Sequence, residues 1–73
     1  MIELENFARN IAKLRKEQGI SKREMAGALG IGRWSMDKLD AGMIPPRLGA
    51  EVLFYAAHYF GISISDLLQT PQR

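Results

Sequence analysis

One short junction occurs three times in this chain: Gly19-Ile20-Ser21, Gly30-Ile31-Gly32 and Gly61-Ile62-Ser63. Each reads as a helix stop followed at once by a helix start. A glycine just past a helix takes the left-handed conformation at little cost, which ends the helix. Ser21 and Ser63 are then N-caps, each accepting from an N–H that the helix leaves without a partner. Glu24 stands three residues after Ser21 and fits a capping box, and Asp66 after Ser63 is a shorter version of it. The isoleucine before each start has a partner five residues on: Ile20 with Met25, Ile31 with Met36, Ile62 with Leu67. That is hydrophobic-staple spacing. Chance supplies one such match, and three of them mark real helix boundaries.

The apolar spacing between junctions agrees. Leu4, Phe7, Ile11 and Leu14 recur at helical intervals, as do Met25, Ala26 and Leu29, then Ile31, Met36 and Leu39. Val52, Leu53, Ala56, Ala57 and Phe60 make a fourth stripe, and Leu67 with Leu68 a short fifth. Pro45 and Pro46 put a loop between the third and fourth. The pattern predicts one all-α domain over residues 1–73, with helices at about 4–18, 21–29, 32–41, 47–60 and 63–69 and a frayed tail at 70–73. No stretch alternates long enough to be a strand. A chain of 73 residues buries only about 60% of its unfolded surface. Without cysteine it has neither disulfides nor thiolate metal sites. Well-packed helices, with or without a partner copy, are what remain to hold it together. No apolar run approaches the roughly 20 residues of a membrane span. The start "MIELENFARN" carries two acids and lacks the basic segment of a signal peptide, so a cytoplasmic protein is expected.

Net charge is +2, unevenly placed. Residues 9–47 hold nine basic side chains against Glu17, Glu24, Asp37 and Asp40, whereas the flanks are acidic. A basic middle suits a polyanionic partner. Helix three sharpens this. At about 100° per residue, Met36 and Leu39 point one way, while Arg33, Trp34, Asp37, Lys38 and Ala41 span an arc of about 140° on the other side. A helix after a tight turn, anchored on one face and carrying long donors on the other, suits a DNA major groove. Arg33 is placed to bond guanine bidentately. Lys22 and Arg23 open helix two, where side chains and free N–H groups favour phosphate. Short Ala41 permits close approach. Trp34 reads either as a contact or as a half-buried residue at the helix start. Asp37 opposes phosphate, unless it accepts from cytosine N4 or pairs with Arg33 four residues earlier.

Residues 6–68 resemble the helix-turn-helix domain of phage lambda repressor and Cro-type regulators, the XRE family. The similarity is carried by "LRKEQGISKREMAGALGI" and the "M..L.AG" that follows. It implies a compact five-helix lambda-repressor-like fold with the helix-turn-helix at helices two and three. It also implies a sequence-specific regulator of transcription that binds double-stranded DNA, often as a dimer on a palindromic operator. Gly32, Arg33, Trp34 and Lys38 match groove-facing positions of the family, and Lys22 stands where a Gln is common. Arg15 and Asp40 match a family ion pair between helices one and three, with Asp40 in place of the usual Glu, so Arg15 reads as structural. Three features depart from the family: Trp34 is unusual in the groove, Lys22 replaces the common Gln, which keeps a phosphate contact but not base reading there, and the Gly42–Gly61 segment is about two residues longer than typical. That extra length leaves open whether Arg47 turns toward the duplex.

The alternative is a protein-interaction module of antitoxin or adaptor type on the same fold, favoured by Trp34 and Asp37. An enzyme is not expected. One His, no Cys, and no phosphate loop, triad or metal-ligand spacing leave no catalytic group, cofactor, metal or small-molecule site to propose. The glycines of "GALGIG" are explained as caps, and His58 reads as a solvated surface residue. Tyr55 and Tyr59 on helix four, with Ile64 and Leu68 on helix five, are candidates for a homodimer surface.

Overall fold

The computed structural model describes residues 2–71. Over that range the chain forms five helices and no strand: α1 (Ile2–Glu17), α2 (Lys22–Leu29), α3 (Arg33–Asp40), α4 (Glu51–Phe60) and α5 (Ile64–Leu67). α1 packs on α3 and α5, α2 on α3 and α4, and α4 on α5. The result measures 26 × 24 × 20 Å.

All three junctions cap the helix they end, and the two with serine also cap the helix that follows, Gly32 making no side-chain cap. Gly19, Gly30 and Gly61 all have φ between 65° and 69°. The isoleucine after each glycine donates to a carbonyl five residues back: Ile20 to Arg15 at 2.9 Å, Ile31 to Ala26 at 3.0 Å, Ile62 to Ala57 at 3.1 Å. This is the Schellman pattern, which satisfies carbonyls that a helix end would otherwise strand. Gly42 (φ 78°) closes α3 the same way, with Met43 N–H on the Lys38 carbonyl at 2.9 Å. Each isoleucine also packs on the core, so one residue closes a helix and staples the next. Ser21 accepts from Glu24 N–H at 3.0 Å and Ser63 from Asp66 N–H at 3.1 Å. The capping box at Ser21 is only half made, because the Glu24 carboxylate accepts from Tyr59 Oη at 2.9 Å.

Phe7, Ile11, Met25, Leu29, Met36, Leu39 and Leu67 are fully buried in one cluster. Asn6 and Asn10 carry polar side chains from α1 to the end of α5. Asn6 donates to Leu68 O at 3.1 Å, and Asn10 to Leu67 O at 2.7 Å and Gln69 O at 2.9 Å. They take up the carbonyls that a four-residue helix cannot bond internally.

Boundaries depart from expectation chiefly at α4, which starts at Glu51 and not at residue 47. Arg47 has φ 64°, a left-handed backbone that no helix start accommodates. The helix enters through tight i→i−3 bonds, Val52 to Gly49 at 3.2 Å and Leu53 to Ala50 at 3.1 Å. α1 begins two residues earlier than its apolar stripe suggests, and α5 is shorter than 63–69 because Leu68 already serves as its cap. Of the expected frayed tail, Thr70 and Pro71 are irregular, and residues 72–73 lie outside the described range.

Candidate nucleic-acid interface

α3 is held by α1 and α2, and its exposed face follows from that. Met36 and Leu39 are fully buried. Asp40 is held by Arg15 of α1 through Nε–Oδ1 at 2.7 Å and Nη2–Oδ2 at 3.1 Å, a fork-on-carboxylate pair. Both side chains are largely covered, at 15% and 11% exposure. Arg15 Nη1 also bonds Ile20 O at 2.9 Å, tying the pair to the α1–α2 turn. The bond from Arg15 is the main cause holding the Asp40 carboxyl below its ordinary range. Partial burial opposes it, and the charges of Arg15, Lys16 and Lys22 reinforce it. The same bond raises Arg15.

Opposite these anchors, Gly32, Arg33, Trp34, Asp37 and Ala41 are exposed and Lys38 is half-buried. Trp34 is 58% exposed and does not pack into the core. The Lys38 ammonium lies 5.3 Å from its ring centroid, a cation–π arrangement that covers part of the indole. Asp37 does not pair with Arg33. It takes Lys22 from α2 at 3.3 Å, and Lys22 also lies 3.9 Å from Asp40. Lys22 therefore pairs with carboxylates of α3, a cross-helix contact that single-helix spacing could not reveal.

Arg23 and Arg33 make no ion pair among the described residues. With Lys22, Ala26, Gly27 and Ile31 they line an open groove between α2 and the start of α3. Small residues at 26 and 27 keep its floor low, and two free guanidinium groups rim it. No hydrogen bond among the described residues ties Arg47 to this face.

The expected dimer residues separate. Leu68 packs on the core and Ile64 is half-buried. Tyr59 is held by Glu24, and that donated bond is the main reason its phenol is raised above its ordinary range. Tyr55 lies along Gly30, where an added Cβ would meet its ring at 3.5 Å. Phe54, which the sequence reading passed over, is 62% exposed, more than any other large apolar side chain among the described residues. Its signal was available: it falls off the Leu53/Ala56/Ala57/Phe60 stripe.

Among the described residues no group of three or more His, Asp or Glu is placed to hold a metal. No helix there is long and apolar enough to cross a membrane. Comparison with protein-family models, with curated proteins and with solved structures finds no match to this chain.

Proposed function

We propose that this chain is a sequence-specific double-stranded DNA-binding regulator of transcription, a lambda-repressor-like helix-turn-helix domain with α3 entering the major groove. The observation that carries the proposal is the double constraint on α3. Met36, Leu39 and Asp40 are locked inward, and Arg33 and Trp34 stand free at its start beside the basic opening of α2. In this reading Arg23, the free N–H groups at the start of α2 and Lys22 meet phosphates and set the register. Arg33 bonds guanine N7 and O6. Asp37, which Lys22 leaves on moving to phosphate, accepts from cytosine N4, and Ala41 lets the helix come close.

The second reading, a protein-interaction module, is favoured by one observation: the same face exposes an aromatic ring and a carboxylate. One titration separates them. Trp34 is the chain's sole tryptophan and sits on the face in question. Adding random-sequence duplex at low salt should quench or shift its emission. A dimer neutralising roughly 4 to 8 phosphates should lose affinity with a log–log salt slope of about −4 to −7. An unchanged signal with no retardation of the duplex would remove the DNA reading and leave the protein-partner one.

A further inference from the structure

Glu51, Phe54, Tyr55 and His58 form the outer face of α4, and all four are exposed. The core side of the helix is taken by Val52, Leu53, Ala56, Ala57 and Phe60. Tyr59, at the edge between the two faces, is turned to Glu24. At about 100° per residue the outward four fall within an arc of about 100°, directly opposite the buried stripe. Phe54 and Tyr55 are 62% and 50% exposed, an aromatic pair with an acid one turn before it and an imidazole one turn after it. Single exposed aromatics are ordinary, but Phe54 and the outer edge of Tyr55, whose inner edge lies along Gly30, make an apolar patch at the centre of an otherwise polar helix face.

The order of these residues selects the occupant. Turn a second α4 antiparallel to the first about a two-fold axis that passes between positions 54 and 55. Phe54 then faces the partner's Tyr55, and Glu51, once its carboxylate swings out from over Gly49, faces the partner's His58. The axis leaves the helix along the middle of the exposed arc for both pairs, so one operation satisfies both. An imidazole N–H donates to a carboxylate in that register whether or not the ring is charged. A two-fold interface demands this kind of self-complementary patch, each residue meeting its counterpart's complement. We infer that the outer face of α4 is a homodimer surface, two copies pairing α4 antiparallel with Phe54 and Tyr55 at the centre and Glu51–His58 contacts at both ends. This goes beyond the DNA reading and does not depend on it. It also shifts self-association from α5, whose Leu68 is already used by the core.

The face is small. A stable standard interface uses about 20–30 residues a side, so the isolated dimer should be weak, with a dissociation constant on the order of 0.1–1 mM. The test is sedimentation equilibrium up to millimolar protein, in salt high enough to suppress non-specific charge attraction and without DNA. The wild-type chain should self-associate. Phe54→Glu, at an exposed position where folding is not at stake, should weaken association at least about 10-fold. Ile64→Glu, on α5, should leave it within about 2-fold. Glu51→Lys and His58→Glu should each weaken it. The double variant should recover it, because the introduced ammonium and the introduced carboxylate would then meet across the axis. A wild-type monomer at millimolar concentration overturns the proposal. So does loss with Ile64→Glu but not with Phe54→Glu, which would place the contact on α5. Failure of the double variant to recover overturns the register. Circular dichroism melts of every variant exclude unfolding as the cause.

Discussion

Replacing Asp40 with Ala removes two charge-assisted hydrogen bonds, at 2.7 and 3.1 Å, from a guanidinium that stays where it is. Arg15 keeps only its bond to Ile20 O. Breaking a deeply buried pair costs about 3–5 kcal/mol because a charge is left uncompensated. A fully exposed pair is worth about 0–1 kcal/mol. With 15% and 11% exposure this one lies between the limits, and about 2 kcal/mol is expected. For a domain of this size that lowers Tm by roughly 8–16 °C. It also removes a sizeable share of a total stability of about 4–11 kcal/mol. The assay is urea and thermal unfolding of Asp40→Ala, Arg15→Ala and the double variant. Each single change should remove most of the pair's worth, so the double variant should lose about 1–2 kcal/mol less than their sum. Additivity within about 0.5 kcal/mol would refute the assignment of a coupled pair. Replacing both residues with Met should restore much of the loss, since well-packed apolar groups often equal a buried ion pair.

The same pair sets a pH dependence whose sign can be worked out. Asp40 is held below its ordinary value in the folded chain, so between the folded and unfolded pKa values the unfolded state binds more protons. Stability therefore rises with pH across that window. The contribution is fully present above the unfolded carboxylate's value of about 3.9 and is lost as pH falls through the folded one. Wild-type unfolding measured from neutral to strongly acid pH should show this loss, and Asp40→Asn should lack it.

Four further outcomes are expected. Gly30→Ala should cost about 1–2 kcal/mol in urea unfolding, because φ is 69° there although a Cβ would have room at 3.5 Å from Tyr55; Gly32→Ser, at φ −81° with open space around it, should be neutral or gain a few tenths. Arg33→Ala should cost about 1–3 kcal/mol on the preferred duplex and relax one base while leaving Tm unchanged, as retardation on a selected site and its single-base variants would show. Asp37→Ala should remove a repelling carboxylate and tighten binding to random-sequence duplex while relaxing any preference for cytosine beside position 37; unchanged affinity together with unchanged base preference would mean that Asp37 does not face the duplex.

The parts of the fold that could be read from the chain are those set by local rules. The Gly-Ile junctions fix every helix end they touch to within a residue, because left-handed glycine and Ser caps act on backbone groups three to five residues away. The start of α4 was not legible, since Arg47 adopts a left-handed backbone that nothing in its own identity demands. The Asn6 and Asn10 bonds to the end of α5 span 57 to 62 residues and depend on packing alone. At the candidate site, the outward placement of Arg33, Trp34 and Asp37 follows from helical spacing, and the Arg15–Asp40 pair from family resemblance. The diversion of Lys22 and Glu24 to partners on other helices could not be seen, because both pairs form across helices.

Those two diversions tie α2 to the helices on either side of it. Each takes a residue that local rules assign to the opening turn of α2 and uses it to join α2 to another helix: Lys22 to α3, Glu24 to α4. Lys22 spans Asp37, which is exposed on the face, and Asp40, which is part of the anchor. Lys22 moving to a phosphate would leave Asp37 uncompensated and Asp40 still satisfied by Arg15. The anchor would hold while the charge of the face changed. A duplex supplying cytosine N4 beside Asp37 would compensate that carboxylate, and one without it would not. The energetic difference between right and wrong sequence would then arise partly from a bond the protein already makes to itself, with α3 staying fixed throughout.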